Sequence, residues 1–253
     1  VTAASPAVAH IGDAACSGFL FDMDGVVTDT ARVHERAWTR LFDGFLAERG
    51  KGEAPFSSDD YLQYVDGRPR VDGVASFLAS RSIEIPHGDP SDPPTAHTVC
   101  GLAARKDAMF LHELDEHGVE AFPGTVTLIR RLRAERISVA LVTASRNAVR
   151  VLDAAGLTDL FDARVDGMDV DRLSLAGKPE PDTYLEGARR LGLPASACVV
   201  LEDAIAGVEA GRRGAFGVVV GVDRADHADA LREAGADVVV SDLSDLEVRF
   251  GTA

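Results

Sequence analysis

Short apolar runs, each closed by a glycine or a polar residue, alternate with longer stretches of helical periodicity through the outer parts of the chain. Phe19–Phe21, Val139–Val142, Cys198–Leu201, Gly217–Val220 and Asp237–Val240 are too short for helices and read as strands. Among them, Gly124–Glu135, Ala148–Ala155, Asp182–Leu191, Ala204–Arg213 and Ala225–Ala234 carry the spacing of helices. Strands alternating with helices of this length predict an α/β fold built on a doubly wound parallel sheet. Such a sheet binds ligands beyond the carboxyl ends of its strands, so chemistry is sought in the residues that follow each apolar run.

The alternation breaks between about Ala31 and Gly118. Val33–Glu48, Asp72–Arg81 and Ala96–His117 read as helices, and Pro and Gly keep Ile85–Pro94 out of regular structure. This predicts an all-helical cap domain inserted just after the first strand. The expected organisation is a flexible extension over residues 1–18, a Rossmann-like catalytic core of 19–31 with 119–253, and a helical cap of 32–118.

Composition narrows the partners. The chain has 253 residues, 46% of them hydrophobic, and a formal net charge of −15. A field of that sign repels nucleic acid and anionic membrane surfaces, and no apolar stretch approaches the ~20 residues of a membrane span. It also repels a phosphorylated substrate, which must therefore meet a local pocket of positive charge. Only Lys51, Lys106 and Lys178 are lysines. Cys16, Cys100 and Cys198 are odd in number and far apart, which fits neither a disulfide framework nor a metal site and points to a reducing cytoplasm. Cys198, inside an apolar run, reads as a small buried hydrophobe. The sequence does not fix oligomeric state; a monomer is favoured.

Candidate chemistry collects at the ends of the strands. Phe19–Phe21 runs directly into Asp22-Met23-Asp24-Gly25, Val139–Val142 ends on Thr143, and Cys198–Leu201 ends on Glu202-Asp203. Lys178 stands in Gly177-Lys178-Pro179-Glu180-Pro181-Asp182, where Pro179 disfavours helix at the lysine. Alone, an Asp-x-Asp turn or a lysine is a solvated surface feature. As a set they suit phosphoryl transfer. Carboxylates from two strand ends can hold Mg²⁺, a hard ion that prefers oxygen. The metal and Lys178 offset phosphate charge so that Asp22 can approach phosphorus, and Thr143 with nearby amides can donate to phosphoryl oxygens.

These four motifs, in this order and spacing, resemble those of the haloacid dehalogenase-like superfamily, from Phe19 to about Val240. The resemblance implies that Asp22 becomes an aspartyl phosphate and that Asp24 is the general acid/base and offers its backbone carbonyl to Mg²⁺. It further implies Asp203 as a metal ligand and Glu202 as an acid at or near the metal. The second acid, Asp24, argues against dehalogenase chemistry, and the helical insert matches one of the superfamily's cap types. A binding module on a retired enzyme fold would more often have lost Asp22, Asp24 or Lys178.

Within the superfamily the chain resembles the β-phosphoglucomutase family. Thr30, His34 and Trp38 recur at four-residue spacing and share a helix face; Trp38 as cap core with His34 a satisfied partner is the plainer reading, and the resemblance implies a hinge governing cap closure. Tyr64-Val65-Asp66-Gly67-Arg68-Pro69-Arg70 is a generic turn by composition. It is similar to the family's cap loop, with Gly67 at its turn and Arg70 as ligand of the distal phosphate. Lys106 is either on a solvated helix face or, by resemblance, faces the sugar phosphate. Ser145 and Asn147 are good helix caps; by resemblance Ser145, Arg146 and Asn147 hold the phosphate of a bound sugar. Arg146 stands where the family commonly has Lys, and Pro86–Pro94 and the Asp166-Gly167-Met168 run also depart from its pattern. The implied substrate is a phosphorylated sugar, β-glucose 1-phosphate, converted to glucose 6-phosphate through a bisphosphate. A sugar-phosphate phosphatase would use the same four core motifs and differ in admitting water.

Overall fold

The computed structural model describes residues 7–11, 14–50, 52–65, 68 and 70–252. Gly67, with Asp66 and Pro69 beside it, lies outside the described residues. The chain divides into two compact units, Val1–Asp29 with Val119–Ala253, and Thr30–Gly118.

The Thr30–Gly118 unit is helical. It comprises α1 (Thr30–Arg49), a short turn α2 (Ser58–Asp60) that continues as a π-helix over Tyr61–Val65, α3 (Arg70–Ser80) and α4 (Val99–His117). The apolar stripe of α1 buries Trp38, Phe42 and Phe45, and the Phe42 ring lies 4.0 Å from that of Phe77 on α3. Helix α4 starts three residues later than its periodicity suggests because Thr98 caps it, accepting from the amide of Gly101 at 3.0 Å. The proline-rich stretch ahead of it has no regular structure but is folded back. The amides of Val99 and Cys100 donate to the carbonyls of Pro86 and His87, and Thr98 Oγ1 donates to Asp92 at 2.6 Å.

In the other unit a first ribbon pairs β1 (Ala7–Ile11) with β2 (Ala14–Cys16) and with β9 (Arg249–Thr252), all antiparallel. The flexible extension expected over residues 1–18 is thus, over its described part, a sheet. The small residues there gave no periodic signal, and the partner strand is the far end of the chain. The main sheet contains β3 (Gly18–Phe21), β4 (Ser138–Val142), β5 (Ala163–Val165), β6 (Cys198–Glu202), β7 (Val218–Val222) and β8 (Val238–Val240), all parallel, in the order β5-β4-β3-β6-β7-β8. Helices α5 (Pro123–Ala134), α6 (Ala148–Ala155), α7 (Gly167–Leu173), α8 (Asp182–Leu191), α9 (Ile205–Arg213) and α10 (Ala228–Ala234) connect the strands. Helices on both faces explain why the central strands read as unbroken apolar runs. The fold class is the doubly wound α/β architecture. Strand order reverses at β3, which has β4 on one side and β6 on the other, so the switch point lies at the carboxyl end of β3. Strand β5 and helix α7 have no sequence forecast, being three and seven residues long.

Lys178 sits between α7 and α8, and those helices are tied by ion pairs. Arg190 donates to Glu186 at 2.8 Å, to Asp169 at 2.7 Å and to the carbonyl of Arg164. Arg189 adds two bonds to Glu186, whose side chain is 9% exposed. Hydrogen bonds from Arg189 hold the Glu186 carboxyl down to about 2, against its burial. A depressed folded pKa stabilises above the unfolded value of about 4.3, and that stabilisation is lost as pH falls toward 2. Glu186→Gln should therefore cost about 1–2 kcal/mol at pH 7, and most of the difference from wild type should be lost in acid; urea unfolding at pH 7 and at about pH 2.5 checks this. Among the described residues, no helix is long and apolar enough to cross a membrane.

Candidate active site

Each strand of the central trio delivers its polar residue to the same end of the sheet. β3 pairs with β4 and β6 so that Phe21 stands opposite Leu141 and Leu201, which places Asp22, Thr143 and Glu202 just beyond one line. Asp22 continues the ladder for one more bond, its amide donating to the carbonyl of Leu201 at 3.0 Å. The chain then turns tightly. The amides of Val27 and Thr28 both donate to the Met23 carbonyl, that of Gly25 donates to Thr28, and the half-buried Asp24 bridges to Thr28. The turn brings the Met23 and Asp24 amides onto the Asp22 carboxylate.

Asp22 is 6% and Glu202 1% exposed, and between them sits the ammonium of Lys178. Lys178 Nζ donates to Asp22 Oδ1 and, at 2.9 Å, to Glu202 Oε1. Carboxylate oxygens of Asp22, Glu202 and Asp203 lie within 4.8 Å of one another. Gly25 has φ +81°, and a Cβ there would stand 1.8 Å from Asp203 Oδ2; at Gly207 one would stand 1.6 Å from Glu202 Oε1. Both glycines let backbone close on an acid where no other residue fits.

Electrostatics set the demand of this cluster. Burial pushes all three acids upward, Asp203 to about 7, and the neighbouring Asp22 charge adds to the rise at Glu202 and Asp203. Burial lowers the Lys178 ammonium, but Asp22 and Glu202 outweigh it and hold the ammonium well above its ordinary value. One buried ammonium against three carboxylates leaves negative charge uncompensated. An all-oxygen donor set with that deficit fits a hard divalent cation.

The Thr143 loop is built beside the acids. Thr143 Oγ1 accepts from the Ser145 amide at 3.0 Å, Ser145 Oγ from the Asn147 amide at 3.2 Å, and the amide of Gly167 donates to the Ser145 carbonyl at 3.0 Å. Asn147 precedes α6, although its side chain makes no capping bond. Arg146 pairs with Asp171 of α7 at 2.5 Å, both half or more exposed. Asp171 went unread in the sequence because α7 did. The Asp166-Gly167-Met168 departure is the start of that helix: Asp166 caps it through the amides of Met168 and Asp169, and Arg164 holds Asp166 at 2.8 Å.

In the helical unit, Thr30 is buried at the start of α1, and one turn on, His34 stacks on Phe110 at 4.4 Å. Lys106 is 4% exposed, which removes the solvated-face alternative. Its ammonium donates to His34 Nδ1 at 2.5 Å and lies 5.1 Å over the rings of Trp38 and Phe110. Burial, then the charges of Lys106 and Arg70, hold His34 well below its ordinary value, so the ring is neutral and can accept. Arg70 opens α3 and pairs with Asp107 of α4 at 2.7 Å. Sequence reasoning also passed over Arg224 and His227, which follow β7 and touch the backbones of Gly25 and Asp203. No motif marks them, and the helical spacing read over Ala225–Ala234 runs across His227, whereas α10 begins only at Ala228.

The family model of the haloacid dehalogenase-like hydrolases matches residues 16–214, a span that opens ahead of Asp22 and runs beyond Asp203. The chain belongs to that family. It is 47% identical over 235 residues to the β-phosphoglucomutase of Mycobacterium tuberculosis, covering 90% of each chain. It is 31% identical over 198 residues to hexitol phosphatase A of Escherichia coli, covering 78% of each. The crystal structure of the β-phosphoglucomutase of Clostridium difficile superimposes with a TM-score of 0.68 at 26% identity, over 92% of this chain and 93% of that one. The haloacid dehalogenase-like chain is thus an enzyme of phosphoryl transfer, with both mutases and phosphatases among its relatives.

Proposed function

We propose that the chain is a Mg²⁺-dependent β-phosphoglucomutase that interconverts β-glucose 1-phosphate and glucose 6-phosphate through an aspartyl phosphate and a bisphosphate. The observation that carries this reading is the buried Asp22–Lys178–Glu202–Asp203 cluster, in a chain 47% identical to a mycobacterial β-phosphoglucomutase across nine-tenths of both. Asp22, Asp203, Glu202 and the Asp24 carbonyl would hold Mg²⁺, which supplies positive charge to the phosphoryl oxygens. Lys178 neutralises the same oxygens and holds Asp22 in line for attack.

Phosphorylated Asp22 passes its phosphoryl group to the 6-hydroxyl of β-glucose 1-phosphate. The new P–O bond forms as the bond to Asp22 breaks, and Asp24 takes the hydroxyl proton. After the bisphosphate turns over, Asp22 attacks the other phosphorus, and Asp24 returns its proton to the departing oxygen. Thr143 donates to the phosphoryl oxygens at Asp22, and Ser145, Arg146 and Asn147 hold the phosphate of the bound sugar in the core site. A mutase also needs a distal phosphate site, for which Arg70 is the candidate. Its fork suits a phosphate, and Asp107 holds it ready.

The test is incubation with β-glucose 1-phosphate, Mg²⁺ and a trace of β-glucose 1,6-bisphosphate, following glucose 6-phosphate and free phosphate together. Glucose 6-phosphate should lead. Arg70→Ala should slow isomerisation by about 30–100-fold, the worth of a charged contact of about 2–3 kcal/mol, while barely changing acetyl phosphate hydrolysis. A second reading, a sugar-phosphate phosphatase, is favoured by the hexitol phosphatase likeness. It prevails if phosphate release outruns isomerisation, or if Arg70→Ala slows both reactions equally.

A further inference from the structure

The Asp22–Thr28 turn has two tasks: it sets the Asp22 carboxylate against Lys178, and it brings Gly25 to within a missing Cβ of Asp203. Its outer carbonyls are fixed from outside the turn. Thr125 Oγ1 donates to Val26 O at 2.7 Å, the Phe122 amide to Val27 O at 3.0 Å, and Arg224 Nε to Gly25 O at 2.8 Å. The first two come from the start of α5. Arg224 comes from the segment beyond β7, and that segment also reaches the other acid-bearing strand end. His227 Nε2 lies 3.0 Å from the carbonyl of Asp203, which can only accept, so that nitrogen carries the proton. One short turn, Asp223–His227, therefore grips both backbones whose carboxylates converge.

The turn is itself stiff. Asp223 Oδ1 accepts from the amides of His227 at 2.9 Å and Ala225 at 3.3 Å, and the Asp223 amide donates to Val240 O at 2.8 Å. The Arg224 guanidinium lies 3.7 Å over the Phe122 ring and donates through its second nitrogen to Ser241 O at 3.0 Å. Its remaining nitrogen is buried with no acceptor. The nitrogen that reaches Ser241 also lies 3.8 Å from Asp242 Oδ2.

We infer that Arg224 and His227 are positioning residues of the metal centre, fixing the separation of Asp22 and Asp203 through the carbonyls of Gly25 and Asp203. This rests on the reading of the acidic cluster as a Mg²⁺ site. The test is Mg²⁺ titration of the whole protein by calorimetry, alongside steady-state kinetics and thermal melts. Arg224→Met should weaken Mg²⁺ binding by about tenfold or more, as expected when a partner behind a metal ligand is lost. It should lower kcat while leaving KM for β-glucose 1-phosphate unchanged. Arg224→Lys, which can still donate to Gly25 O, should recover most of the affinity. His227→Phe should weaken binding in the same direction, and it carries the test should Arg224→Met fail to fold. Wild-type Mg²⁺ affinity in the folded variants overturns this inference alone, even with a lowered melting temperature. A wild type that binds no Mg²⁺ overturns the metal-centre reading and this inference with it.

Discussion

Asp22→Asn is expected to abolish turnover in a protein that still folds. The amide keeps the shape of the side chain but loses the anionic oxygen proposed to attack phosphorus. The fold should tolerate the change because Lys178 keeps its Glu202 partner and the Asp22 amide keeps its bond to Leu201. A loss of about 10⁴-fold or more in kcat is the scale for removing a covalent nucleophile. Steady-state isomerisation, a circular-dichroism melt and a mass check against deamidation decide it. Appreciable steady activity in a folded, undeamidated variant would remove Asp22 from the chemistry.

Lys178→Met acts on the same centre from the other side. Without the ammonium, Asp22, Glu202 and Asp203 keep their burial and lose their nearest positive charge. Each acid then holds its proton to higher pH, because the ionised form has lost its stabiliser. A smaller fraction of Asp22 is a nucleophile at neutral pH, and the phosphoryl oxygens lose a charged donor. The expected loss in kcat is on the order of 10³-fold, that of a preorganised donor at developing charge. The acidic limb of the rate profile should also move to higher pH in the variant, which a pH series with saturating Mg²⁺ measures. An unmoved limb, with a rate within about tenfold of wild type, would mean that Lys178 holds the fold and not the phosphate.

The contrast between these two residues and Arg224 shows how much of the site was legible. Asp22, Thr143, Lys178 and Glu202-Asp203 could be read because each ends or follows an element with a strong local signature. A buried strand is an unbroken apolar run, and its end is a sharp boundary. The five strands read from the sequence all lie in the main sheet, and α6 and α8 run over the residues their periodicity marks. What escaped was what depends on distant partners. β5 is three residues long, β2 is a three-residue run of small residues, and β1 takes its second partner, β9, from the opposite end of the chain. Arg224 reaches a carbonyl 199 positions away, and Asp171 reaches Arg146 from a helix too short to announce itself. Lys106 shows the same limit inversely. Its neighbours along α4 look polar, and only the ring of His34, brought up from α1, shows that the amine is inside.

Of the three lysines in the chain, two are therefore withdrawn from solvent. Lys106 is held by a neutral imidazole among aromatic rings, and Lys178 is clamped between carboxylates that keep it protonated. Acylating and reductively alkylating reagents attack an accessible, deprotonated amine, and neither of these is one. Among the described residues, positive charge on the surface is carried by arginine, which such reagents ignore. The folded protein is thus nearly silent to amine-directed labelling at Lys106 and Lys178, and label appearing at either position would report that its pocket had opened.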